Sequence, residues 1–372
     1  MVKDCKTFDR DRLMGIAEQF SHQGNITEIE ALGNGNINDT FLVSLDDLKQ
    51  TRFVLQRINT KVFRHPQGVM KNMYIFTEHV HTKLQNQPQE RRWEIPRVIL
   101  TNTGQDHWNT EEGDYWRAIS FIEGSESFDI IADLSHAEEV GYALGMFHNL
   151  ISDLPSEQLT DTLEGFHITP LYLQQYETVL AQNTVKSSPE VEYGLNFVRD
   201  RSEWCSVLEN AKNNGKLPLR LMHGDPKVNN VMFDSKTGKA VSVIDLDTVK
   251  PGLVHYDIGD CLRSGCNPMG EETQDWQNVY FDLELCRGIL TGYLDVAKTF
   301  LIDDDYVFLF DAIRLISFEL GLRFFTDYLA GNVYFKVKYP DQNLARALVQ
   351  FKLTESIENQ ETPIRQLIED LR

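Results

Sequence analysis

The residues with the clearest capacity for chemistry fall in one stretch. It reads His223-Gly224-Asp225-Pro226-Lys227-Val228-Asn229-Asn230, then Val231-Met232-Phe233-Asp234, a Lys236-Thr237-Gly238 turn and Ala240-Val241-Ser242-Val243-Ile244-Asp245-Leu246-Asp247. The apolar run 241–244 ends abruptly in Asp-x-Asp, so a strand would deliver carboxylates at its mouth, where a cation can sit. Magnesium favours few carboxylates, an amide oxygen and substrate phosphates, and Asp245 with Asn230 supplies that pair. Asp225 is then placed to orient or deprotonate an attacking hydroxyl. Asp247 reads either as a second metal contact or as a strand-end turn residue, and His223 as a packing and hydrogen-bonding residue that fixes the loop.

These groups need a scaffold, and the chain supplies two kinds. The first hundred residues alternate apolar and polar positions over 26–32, 40–45 and 52–58, separated by a Gly/Asn-rich turn and a polar turn, which predicts an antiparallel meander. Pro66 then opens a helix to residue 84, with Val69, Met73, Phe76 and Val80 in one stripe. The runs 97–100 and 115–122 complete a sheet of about five strands. After Glu123-Gly124 the composition changes: Ser135 and Glu138 form a capping box before Val140, Leu144, Phe147 and Leu150. Helices are expected over about 169–182, 189–213, 273–299, 303–330 and 341–357, with the chemical stretch as the one β-rich interruption.

The spacing of His223, Asp225 and Asn230 matches the kinase catalytic-loop pattern His-Arg-Asp-x-x-x-x-Asn with Gly224 in place of arginine, and Asp245 stands where the magnesium aspartate is expected. In this the chain resembles the aminoglycoside phosphotransferase family. Further stretches are similar to its N-acetylhexosamine 1-kinase branch: Phe53-Val54-Leu55-Gln56-Arg57-Ile58-Asn59, the run from Ile244 to Gly252, Tyr256-Asp257-Ile258-Gly259-Asp260, and the run from Glu319 to Leu329. The resemblance implies a two-lobed, protein-kinase-like α+β fold. Residues 1–123 would form a small antiparallel-sheet lobe with one long helix that binds ATP, and residues 124–372 a larger, mainly helical lobe for catalysis and the acceptor.

Carried over by residue, Asp225 would be the base, Asn230 and Asp245 the magnesium ligands, and Lys227 a cation on the transferring phosphoryl group. Asp257 would brace the catalytic loop from behind. Gly33, Asn34, Gly35 and Asn36 would cover the phosphates, although Asn38 replaces the third glycine of the usual pattern. The expected lysine of the third strand falls on Gln56 or Arg57, which alternation sends to opposite faces; charge favours Arg57 and motif favours Gln56. Glu78 would face that cation. Phe121 and Glu123 lie in a hinge that would receive adenine. Asp260, Arg263, Arg323 and Tyr334 would contact the acceptor. The implied activity is transfer of the γ-phosphoryl group of ATP to a sugar, at the anomeric hydroxyl of an N-acetylhexosamine. Two other readings stay open: a kinase for an aminoglycoside, choline, homoserine or a thio-sugar, and a nucleotide-binding regulatory protein without turnover.

Composition bounds these readings. The 372 residues are 41% hydrophobic and 25% charged, as in ordinary globular proteins, and 36 Lys and Arg against 56 Asp and Glu leave a net charge of −20. That balance argues against nucleic-acid and anionic-membrane partners. Five scattered cysteines and a charged start without an apolar signal segment suit a reduced cytoplasm. No Gly-x-x-x-x-Gly-Lys loop, His-Glu-x-x-His pair or Gly-x-Ser-x-Gly elbow is present.

Overall fold

The computed structural model describes residues 9–33, 37–48, 51–87, 90–182 and 187–372. The chain begins with a short helix α1 (Arg10–Ala17), followed by strands β1 (Ile26–Ala31), β2 (Asp39–Leu45) and β3 (Arg52–Ile58), the long helix α2 (Pro66–Asn86), and strands β4 (Val98–Ile99), β5 (Trp108–Asn109) and β6 (Tyr115–Ser120). These strands form one antiparallel sheet in the order β1-β2-β3-β6-β4, with β5 added to β6. Strand alternation divides its side chains between two cores. Phe53, Leu55, Trp116 and Ala118 pack with Leu13, Ile16 and Ala17 of α1, whereas Ile58 and Tyr115 pack with Val69, Met70, Met73 and Phe76 of α2. Gln56 and Arg117 lie directly opposite one another on β3 and β6 and share the face that looks toward α2.

The rest of the chain is mainly helical: β7 (Ser125–Glu126), α3 (Leu134–Ile151), α4 (Thr169–Gln182), α5 (Pro189–Arg199), α6 (Val207–Asn213), β8 (Arg220–Met222), β9 (Val231–Asp234), β10 (Ala240–Val243), β11 (Lys250–Gly252), α7 (Val254–Gly265), α8 (Leu283–Ala297), α9 (Asp303–Val307), α10 (Leu309–Leu329), α11 (Gln342–Asn359) and α12 (Glu361–Leu371). Together the elements make a small antiparallel-sheet lobe with one long helix beside a larger helical lobe. Strands β9 and β10 form a hairpin edged by β7, and β11 pairs with β8, so the two ends of the chemical stretch are hydrogen-bonded neighbours. Helices α3 and α8 pack backbone to backbone: a Cβ at Gly292 would stand 1.9 Å from the Glu138 carbonyl oxygen, and one at Gly141 1.9 Å from that of Ile289. Among the described residues no helix is long and apolar enough to cross a membrane.

Several boundaries differ from the periodicity. The cap of α3 is Asp133, whose side chain accepts from the His136 amide, rather than Ser135, because the helix starts one residue before the predicted cap. The predicted helix 189–213 breaks after Arg199 and resumes at Val207, 273–299 begins only at Leu283, and 303–330 is divided at Phe308. Helices α1 and α12 were not anticipated. Their apolar residues Leu13 and Ile16, and Ile364, Leu367 and Ile368, are few and gain their burial from distant partners.

Candidate active site

The candidate catalytic loop is a strand end held from three sides. His223 and Gly224 donate their backbone amides to the two carboxylate oxygens of Asp257, at 2.6 and 2.7 Å. His148 reaches the same carboxylate through Nε2 at 2.8 Å, and Tyr293 lies 3.1 Å from its Nδ1. Gly224 adopts φ +87°, and a Cβ there would meet the side chain and carbonyl of Thr248 at 2.9 Å. An arginine at this position would be excluded on both counts. The His223 ring accepts the Asp225 amide at Nδ1 (3.2 Å) and so donates from Nε2 to the Ile244 carbonyl at 2.9 Å. Burial holds its pKa below the usual histidine value, so it ties the loop to the Asp-x-Asp turn as a neutral ring.

Asp225, Asn230 and Asp245 come together as the spacing predicts. Asn230 donates Nδ2 to the Asp225 carbonyl at 2.7 Å, which leaves its amide oxygen as the acceptor, and its own carbonyl receives the Ile244 amide at 2.8 Å. Asp245 sits at φ 62°, ψ 55°, a left-handed conformation that swings its carboxylate out of the strand line. The carboxylate is open to the cleft yet surrounded by protein at longer range. That desolvation, with Asp247 and Asp225 nearby, pushes its pKa up to about 7. A hard divalent ion would relieve this crowding, and a carboxylate with an amide oxygen is a donor pair that fits one.

Lys227 Nζ lies 2.9 Å from Asp225 Oδ2. Burial alone would lower its pKa, but Asp225, Asp260 and Asp245 outweigh that and raise it, so the ammonium stays charged. Helix α7 presents Asp257, Asp260 and Ser264 toward the loop at helical spacing. Asp260 accepts from Arg263 Nε at 2.8 Å through Oδ1, while Oδ2 is buried without a hydrogen-bond partner; Arg263 also reaches Glu271 at 3.1 Å. The Gly224 carbonyl receives His167 Nε2 at 2.9 Å, and His167 Nδ1 meets Glu319 at 2.9 Å. Burial opposes charging of this ring, but Glu319 prevails and its pKa rises. Arg323, one turn beyond Glu319 on α10, has its guanidinium 4.9 to 5.6 Å from the ring centres of Tyr172, Phe166 and Phe335. Tyr334 is 69% exposed on the neighbouring loop, whose amides 333–335 are gathered by the Asp327 carboxylate. Lys227 and Arg263 also line an open cavity of about 630 Å³.

On the small-lobe side the structure departs from expectation. Gly33 adopts φ +67°, while Asn34, Gly35 and Asn36 lie outside the described residues. Arg57 pairs with Asp39 at 2.6 Å and with Asp114 at 3.0 Å, on the face opposite Gln56. Glu78 forms a two-pronged pair with Arg97, at 2.9 and 2.8 Å; it lies about 140° around α2 from Met73, at 100° per residue, and so turns away from β3. The Glu123 side chain pairs with Arg52 and its carbonyl receives Arg92 Nη2 at 2.6 Å, while Phe121 lies under the Arg52 guanidinium at 4.5 Å. Those Glu123 groups are therefore engaged within the chain. Gln56 accepts from Arg117 Nε and Nη2 at 2.9 and 2.7 Å, and Arg117 forms a buried ion pair with Asp247. Asn38, the residue in the third glycine's place, donates to Asp247 at 2.7 Å.

Arg117 and His167 escaped the sequence reading. The signal for Arg117 was present, a lone charge inside the apolar strand Tyr115-Trp116-Arg117-Ala118-Ile119. His167 carried none, because its partners lie 57 and 152 residues away.

Residues 28–287 match the model of the phosphotransferase enzyme family. A kinase-like protein of Caenorhabditis elegans is 27% identical over 172 residues, which span 44% of this chain and 43% of that protein. Among solved structures, the microcompartment-associated aminopropanol kinase is similar at TM-score 0.65 and 15% identity, over 96% of this chain and 98% of its own. An amicoumacin kinase in complex with AMP-PNP and Ca2+ follows at TM-score 0.61 and 15% identity, over 98% and 97%. Choline kinase from Cryptosporidium parvum gives 0.59 and 16%, over 96% and 98%. The fold is therefore kinase-like, and the family match over most of the chain, which includes the loop just described, makes the protein a member of the phosphotransferase enzyme family.

Proposed function

We propose that the protein is an ATP- and magnesium-dependent small-molecule kinase whose acceptor is a neutral sugar, phosphorylated at the anomeric hydroxyl of an N-acetylhexosamine. In this reading residues 1–123 bind the nucleotide and residues 124–372 carry catalysis and the acceptor. The observation that carries the acceptor class is charge compensation beside Asp225. Lys227 pairs with Asp225, Arg263 with Asp260 and Glu271, and His167 with Glu319, so these carboxylates are already matched within the chain. A cationic acceptor would have to displace one of these partners, while a polyhydroxyl compound can use both its donors and its acceptors. The unpartnered Oδ2 of Asp260 suits a sugar hydroxyl.

Asn230 and Asp245 would hold the divalent ion, which supplies charge neutralisation to the phosphate oxygens. Asp225 takes or orients the proton of the acceptor hydroxyl. The acceptor oxygen then forms its bond to the γ-phosphorus as the bond to the β-phosphate bridging oxygen breaks, and ADP leaves. Lys227 holds the Asp225 carboxylate and offers positive charge to the transferring group, so this chain's contribution is positioning and electrostatics.

The test is coupled ADP release with ATP and magnesium against a panel of sugars and amines, with the product identified by phosphorus NMR. An N-acetylhexosamine 1-phosphate supports the whole reading. Turnover confined to choline, aminopropanol or an aminoglycoside overturns the sugar assignment, and nucleotide binding without phosphorylation of any acceptor favours a regulatory protein.

A further inference from the structure

We propose that Arg117, on β6, is the cation that meets the phosphate chain of the bound nucleotide, with Gln56 of β3 as its positioning residue; this rests on the nucleotide reading above. The usual kinase arrangement places a lysine on the third strand, paired with a glutamate of the long helix. Here both of those positions are differently employed, since position 56 is a neutral glutamine and Glu78 is committed to Arg97. The charge instead comes from the residue directly across the β3–β6 ladder.

The surroundings of Arg117 suit that task. Its side chain is buried at 1% exposure, with Met70 and Met73 sulfurs of α2 at 4.0 and 3.7 Å from Nη1. Gln56 Oε1 takes two of its N–H groups, fixing the guanidinium plane without cancelling its charge, and Gln56 is itself held by Thr40 at 3.0 Å. Its Nη1 pairs with the buried Asp247 carboxylate, two residues after Asp245, and the guanidinium favours the ionised form of Asp245 as well. Asn38, just beyond the glycine loop, converges on the same carboxylate. A buried ion pair adds little to stability relative to apolar packing. This one joins the sheet to the catalytic turn at the point where phosphates must lie if Asp245 and Asn230 hold their metal. An arginine fork can accept a phosphate in the plane that Gln56 sets.

The test measures equilibrium binding of magnesium ATP and of adenosine by calorimetry on the full chain. Arg117→Met is expected to weaken ATP binding at least tenfold while adenosine binding stays within twofold. Because that variant strands Asp247, the double variant Arg117→Met with Asp247→Asn removes both charges and should show the same selective loss. The swap Gln56→Lys with Arg117→Gln, which moves the cation across the ladder, should recover part of the preference for ATP over adenosine. If Arg117→Met and the double variant lose ATP and adenosine affinity in parallel, or keep both, the role assigned to Arg117 is overturned. If Arg57→Met instead loses the phosphate-dependent part, the cation is Arg57. A wild-type chain that binds adenosine and ATP equally, or neither, overturns the nucleotide reading itself.

Discussion

Replacing Asp257 by asparagine should destabilise the protein and disable it together, because one carboxylate holds both the catalytic loop and the helical core. Oδ1 accepts the Gly224 amide, and Oδ2 accepts the His223 amide and His148 Nε2, with the aspartate fully buried. An amide can keep only one oxygen. In the better orientation the new NH2 replaces Oδ1, preserves the two bonds at Oδ2 and turns a donor toward the Gly224 N–H. The charge-assisted bond to Gly224 is lost at about 1.5–3 kcal/mol and two buried donors are left facing each other at about 1–3 kcal/mol. The expected loss is therefore about 2.5–6 kcal/mol, a large part of the roughly 5–15 kcal/mol typical of folded proteins. Urea unfolding followed by the fluorescence of the five tryptophans measures it as a lower midpoint at unchanged slope. Steady-state kinetics on the same sample should show a fall in kcat, since Asp225 is two residues from His223. A stability loss below about 1 kcal/mol, or an unchanged kcat in the folded variant, would refute the claim that this carboxylate sets the loop.

Three further outcomes follow from the geometry. Asp225→Asn should abolish turnover while magnesium ATP still binds, read by ADP release and calorimetry; equal loss of both would place Asp225 in nucleotide binding instead. Gly292→Ala should lower stability by at least about 1–3 kcal/mol, the ordinary cost of overpacking, because its Cβ would overlap the Glu138 carbonyl; an unshifted thermal midpoint would show that α3 and α8 part easily. Asp245 has a folded pKa near 7 against 3.8 unfolded, so its contribution to stability is fully present below about pH 4 and is lost as pH rises through about 7. Without divalent ions, Asp245→Asn should therefore gain stability over the wild type as pH rises through that window. A difference independent of pH would count against the crowding of the three carboxylates.

Much of this protein was legible in one dimension because its signals are local. Strand alternation located β2 and β3, the stripe Val69, Met73, Phe76 and Val80 located α2, and the interval from His223 to Asn230 with Asp245 beyond it located the candidate catalytic loop. A hairpin and a turn bring such residues together from within thirty positions, so spacing alone carries their geometry. Tertiary structure decided the partners. Whether Gln56 or Arg57 faced the cleft depended on which sheet face α1 and α2 covered, and Glu78 went to Arg97 because of the rotation of α2. The Arg117 to Asp247 pair spans the two lobes, and Glu319 reaches the Gly224 carbonyl only through His167. Hydrogen bonds and ion pairs act over about 3 Å, whereas these partners lie from 19 to 152 positions apart in the chain, so only the fold could select among the many partners that the sequence allowed.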